Sequence, residues 1–105
     1  MQRNSHEGSA AVELKEFEPS VKILSRIMKI TLEKNVIGRT ALSLEANINY
    51  STLIKHLDWL ESKSLIELTI VEGKVNVKLN DVGRDLALQF KKLTDRQFLN
   101  FTDKL

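Results

Sequence analysis

The 105-residue sequence predicts a mainly helical α+β domain with a three-helix core, a two-stranded hairpin and a long C-terminal helix. Three observations predict it. Apolar residues recur at helical spacing between Ser20 and Lys34. Two amphipathic segments, 40–46 and 50–62, are joined by about three residues, a helix-turn-helix spacing. Finally, two alternating strands meet in register around Glu72-Gly73.

Taken in chain order, residues 1–18 read as a flexible N-terminal arm, polar from Met1 to Ser9. Val12, Leu14 and Phe17 add a mildly amphipathic stretch that suits a short helix or a packed extension. Residues 19–80 form the folded domain. Pro19 suits the first turn of a helix, where its missing N–H is not needed. That helix carries Ile23, Leu24, Ile27, Met28 and Thr31 on one face and Lys22, Arg26 and Lys29 off it, with Asn35 and Gly38 marking its end. Thr40 is placed to cap the second helix, and Asn47 to close it in the left-handed conformation. Asn49 or Ser51 caps the third helix, whose core face is Leu53, Leu57 and Leu60.

A two-residue turn at Glu72-Gly73 sets the hairpin register. Ile70 then faces Val75, Leu68 faces Val77 and Ile66 faces Leu79. The other face pairs Thr69 with Asn76 and Glu67 with Lys78, and a slip by one residue would destroy every match. Asn80 caps a helix over 81–105 with a stripe of Val82, Leu86, Phe90 and Leu93.

Composition narrows the function classes. There is no cysteine, which removes disulfides, thiolate chemistry and cysteine-rich zinc sites. No metal site is expected at His56, because no second His or Cys is spaced to complete one, and no cofactor is implied. No phosphate-cradling glycine loop or paired catalytic motif appears, so an enzyme is not expected. With no apolar run near 20 residues and no leader-like segment, the expectation is a soluble, cytoplasmic, non-membrane protein. The net charge is +2, with five Lys/Arg against five Asp/Glu over 39–79. Attraction to a polyanion must then come from where the charges sit, or from doubling by a dimer.

Helix, helix, turn, helix, hairpin, helix is the chain order of a winged helix-turn-helix, the hairpin being the wing. The run RTALSLEANINYSTLIKHLDWLESKSLIE (39–67) resembles the helix-turn-helix core of small archaeal winged-helix DNA-binding proteins. The run VKLNDVGRDLALQF (77–90) resembles their strand-to-helix junction, in which an L-T/N-x-x-G turn feeds a long C-terminal helix. A looser likeness extends to multiple-antibiotic-resistance-type regulators. The resemblance covers about half the chain strongly and implies a homodimer on double-stranded DNA. It puts the third helix in the major groove and pairs subunits through the C-terminal helix. The chain is less basic than chromatin-coating relatives, and its wing is a minimal hairpin with few groove contacts.

On that docking, Ser51 and Thr52 lie at the N-terminal end of the reading helix. Lys55 contacts guanine or phosphate and His56 donates to either; the alternative for all four is a solvated helix face. Arg39 and Thr40 face the phosphate backbone, or Thr40 is an ordinary cap. Lys74 reaches a phosphate beside the wing or merely solubilises the turn. Tyr50 divides between core packing and a phosphate contact, and Trp59 is a packing residue. Three of the four Phe residues follow position 89. Leu86, Phe90, Leu93, Phe98 and Phe101 are the expected dimer-interface residues, with a monomer whose last helix folds back as the alternative. The leading reading is a nucleoid-associated transcriptional regulator or architectural protein. The other is a protein–protein interaction module, which the balanced charge permits.

Overall fold

The computed structural model describes the backbone of residues 17–103 and the side chains of residues 17–93. Among the described residues seven elements follow in order: α1 (Val21–Lys34), β1 (Val36–Gly38), α2 (Arg39–Ala46), α3 (Tyr50–Ser62), β2 (Ile66–Val71), β3 (Lys74–Leu79) and α4 (Asp81–Asp103). They build a winged helix. The expected arm lies outside the described residues as far as residue 16.

Helix α1 is capped by Ser20, whose hydroxyl accepts the Ile23 N–H at 3.2 Å. Pro19 therefore precedes the cap and is not in the first turn. Leu24, Ile27, Met28 and Thr31 are buried, as the spacing requires. Thr31 satisfies its hydroxyl within the helix by donating to the Ile27 carbonyl at 2.9 Å.

The stretch 36–38 is a strand and not mere punctuation. β1 pairs antiparallel with β3, Ile37 opposite Val77, so the sheet has three strands in the order β1-β3-β2. Ile37 is the one β1 side chain fully in the core. With Val36 exposed before it and Gly38 after, no alternation announces a strand.

Gly38 is the N-cap of α2 and supplies no side-chain bond, so Thr40 sits exposed inside the first turn and is not the cap. Asn47 closes the helix at φ 56°, ψ 53°. Ile48 then re-enters the core, its N–H bonded to the Ser43 carbonyl at 3.0 Å. Asn49 caps α3, its Oδ1 accepting the Ser51 N–H at 2.9 Å.

The hairpin has the expected register at every pair from Ile66↔Leu79 to Ile70↔Val75. Glu72 (φ 52°) and Gly73 (φ 76°) both occupy the left-handed region, as a twist-matched two-residue turn demands. Burial fades toward the tip. Ile66, Val77 and Leu79 are core residues, whereas Ile70 is 74% exposed. Glutamate is poorly suited to positive φ, so Glu72→Asn is expected to raise stability by about 0.5–1 kcal/mol, read as a higher midpoint in urea.

Asn80 organises the start of α4. Its Oδ1 accepts the Gly83 N–H at 2.8 Å, and its Nδ2 donates to the Ser64 carbonyl at 2.6 Å. The helix turns Gly83, Leu86, Ala87 and Phe90 toward the domain and packs along α1. Val82 is 63% and Leu93 53% exposed, so the expected stripe splits, and these two residues lie on an outer flank.

Candidate nucleic-acid interface

Three local features converge on one face. The short turn 47–49 starts α3 at Tyr50, which borders the same groove as the N-terminal end of α2, and β3 carries the wing tip to the same place. Between them lies an open groove of about 640 Å³. Arg39 and Thr40 line it from α2, Tyr50 from α3 and Lys74 from the wing. Four of the eight residues singled out from the sequence are thus brought together. Ala41, Leu44 and Val75 give the groove an apolar floor.

Along α3, Ser51 and Lys55 are exposed and Thr52 is half-buried. The Ser51 hydroxyl donates to Asn49 Oδ1 at 2.7 Å, which leaves its oxygen free to accept. Arg39, Lys55 and Lys74 make no ion pair with any described residue. By contrast, Lys34 reaches Glu45 at 3.7 Å, which ties up the one acidic residue of α2. The second half of α3 carries exposed Asp58 and Glu61, so the positive charge of that helix sits in its first half, at Lys55.

His56 does not belong to this surface. It is 4% exposed, and both ring nitrogens are engaged inside the protein. Its placement on the solvated face is corrected by the helix itself. Positions 53, 56, 57 and 60 form one i, i+3, i+4, i+7 stripe, the signal that identifies a core position. Trp59 is half-buried against the core, as expected, and Lys63 lies 5.6 Å from its ring centroid.

Leu44, 76% exposed, went unnoticed in the sequence. The buried pair Leu42 and Ala46 at i, i+4 places it on the opposite side, so helical spacing was again the available signal.

On α4, Leu86 and Phe90 are half-buried against the core and only partly available to another subunit. Val82 and Leu93 remain outward. The Phe98 and Phe101 side chains lie outside the described residues. A notch of about 150 Å³ between α1 and α4 is bordered by Lys29, Leu32, Ala87 and Phe90. Among the described residues no group of three or more His, Cys, Asp and Glu side chains is placed to hold a metal ion. Among the described residues no helix is long and apolar enough to cross a membrane.

No family model matches the sequence, and no curated protein does. Solved structures do match in shape. The transcriptional regulator BldR from Sulfolobus solfataricus superposes with a TM-score of 0.72 at 17% identity, over 98% of this chain and 81% of that one. Sso10a-2, a DNA-binding protein from the same organism, gives 0.68 at 17% identity, over 83% and 90% of the two chains. A MarR family transcriptional regulator from Silicibacter pomeroyi gives 0.70 at 15% identity, over 99% and 74%. At these identities the likeness establishes a shared winged-helix fold.

Proposed function

We propose that this chain is a transcription-regulating DNA-binding protein that works as a homodimer on duplex DNA in the cytoplasm, at the nucleoid. One observation carries the reading: Arg39, Thr40, Tyr50 and Lys74 gather around a single groove at the start of α3, the helix that carries exposed Lys55, and none of the three cations is ion-paired with a described residue. Helix α3 enters the major groove through Ser51, Thr52 and Lys55, which read base edges or the adjoining phosphates. The N-terminal end of α2 and the wing lysine grip the backbone on either side, where helix N–H groups also favour an anion. Exposed Leu44 offers apolar contact to a thymine methyl.

In this reading two chains meet through α4. Val82 and Leu93, eleven positions apart and so on one side of the helix, are exposed on its outer flank, and an exposed apolar flank favours a symmetric partner. Dimerisation doubles the phosphate contacts and makes up for the near-neutral charge of each reading domain. Catalysis has no place in the proposal.

The exposed apolar residues Leu44 and Ile70 favour a second reading, a protein-docking wing. A binding titration separates the two. DNA from upstream of the chain's own gene and random duplex are compared at about 50 and 200 mM salt. The expected result is affinity that falls steeply with salt, and a slope of log K against log salt reduced by about 1 per chain in Lys55→Ala. A preference of about a thousandfold or more for the upstream DNA marks a regulator, and near-equal affinities mark an architectural role. No binding at low salt would leave the protein-docking reading in possession.

A further inference from the structure

His56 stands on the helix assigned to DNA reading, yet its chemistry points inward. The Ser20 backbone N–H donates to its Nε2 at 3.0 Å, and its Nδ1 lies 2.8 Å from the Thr52 carbonyl oxygen. A backbone N–H can only donate and a carbonyl can only accept, so these partners select the neutral ring with its proton on Nδ1. The Phe17 ring meets the imidazole edge-on, with centroids 5.1 Å apart at 84°. Ser20 and His56 are 36 residues apart, and this is a polar link between α1 and α3.

The two ends of that link matter. Ser20 is the N-cap of α1, and its own hydroxyl is already committed to the Ile23 N–H. Its backbone N–H precedes the helix and finds its partner in the imidazole. At the other end, Thr52 belongs to the turn of α3 that presents Thr52 and Lys55. The ring therefore bonds one turn of the reading helix to the entry of α1, which in turn packs along α4. Apolar packing by Leu53, Leu57 and Leu60 fixes the depth of α3 but tolerates sliding and rotation more readily than a directed hydrogen bond does.

We propose that His56 is a positioning residue of the DNA-reading surface, pinning the pitch of α3 to α1 without touching DNA. The inference rests on the DNA-binding reading above. Glutamine at 56 places an acceptor near the Nε2 position and keeps the bond from Ser20. Leucine fills the space but leaves that N–H unpaired.

The test combines ring nitrogen NMR of the free protein with duplex titrations of the wild type, His56→Gln, His56→Leu and Lys55→Ala. All are measured at a temperature where circular dichroism shows each variant fully folded. The expected spectrum has Nδ1 protonated and Nε2 bare. His56→Gln binds within about threefold of wild type, and His56→Leu binds about tenfold more weakly, both with the wild-type salt slope, whereas Lys55→Ala loses slope. The opposite tautomer overturns the pin. So does wild-type affinity in folded His56→Leu, equal loss in both His56 variants, or a reduced slope in His56→Leu, which marks a direct phosphate contact. Absence of DNA binding by the wild type overturns the DNA-binding reading itself, an outcome distinct from all of these.

Discussion

Replacing Gly83 by alanine is expected to destabilise the domain by about 3 kcal/mol and to lower Tm by more than about 10 °C. The direction is opposite to the usual one, since alanine inside a helix is ordinarily favoured over glycine by about 1 kcal/mol. Here the space decides. A Cβ built on Gly83 would lie 2.0 Å from the Leu65 carbonyl oxygen and 3.0 Å from its carbon. Both are backbone atoms, so no rotamer change relieves the clash. The Leu65 carbonyl also accepts the Asn80 N–H at 3.1 Å, and Asn80 in turn caps the helix through the Gly83 N–H. Moving α4 outward far enough to admit a methyl group thus strains the cap, the Asn80–Ser64 bridge and the packing of Leu79 together. Equilibrium unfolding in urea checks this. A Gly83→Ala variant as stable as wild type would show that α4 does not approach the Leu65 carbonyl this closely.

That junction also shows what the sequence could and could not disclose. The L-N-x-x-G run from Leu79 to Gly83 marked a turn feeding a helix, and Asn80 caps it as expected. The reason for the glycine was invisible. It lies in Leu65, 18 positions away, and one chain read in order holds no record of such an approach. Legible features were those set by neighbours. The hairpin register follows from cross-strand matching of six-residue strands, and the turn 47–49 from a helix closer followed by a helix cap. β1 was hidden because three residues with one inward side chain carry no period. The candidate site was half legible on the same principle. Arg39, Thr40, Tyr50 and Lys74 were named separately, but only the fold gathers them at one groove.

His56 and the outer flank of α4 were misassigned for a different reason. In each case the helical phase was set by the largest residues. On α3 the leucines alone defined the stripe, and a polar residue on the same line was read as exposed. On α4 the stripe of Val82, Leu86, Phe90 and Leu93 follows the large residues, whereas small Gly83 and Ala87 occupy the contact and Val82 and Leu93 face outward. Where a helix packs closely against neighbouring backbone or another helix, small residues mark its inner line. Gly83 and Ala87, one turn apart, were that marker.

The second large effect concerns binding. Changing Arg39, Lys55 and Lys74 together to glutamine is expected to weaken duplex affinity by about two to three orders of magnitude per chain at 0.1 M salt. The estimate follows from counterion release. Each phosphate neutralised contributes a slope of about −0.9, so at 0.1 M one contact is worth about eightfold and three about five-hundredfold. In a dimer that uses both reading domains, the loss approaches the square of this. Glutamine keeps the first two methylenes of each stem, which matters for half-buried Arg39, so the variant is expected to stay folded. The salt slope is the sharper readout. It should fall by about 3 per chain if all three cations meet phosphates, and by less if Lys55 hydrogen-bonds a base edge instead. Comparing Lys55→Gln alone on upstream and random DNA distinguishes these cases. A phosphate contact weakens both sequences equally, whereas a base contact erodes the preference between them. Neutralising three acidic residues elsewhere, Glu33, Asp58 and Asp85 to glutamine, raises net charge without touching the groove. If that set changes the slope as much as the first set does, binding follows overall charge and the groove has no special part in it.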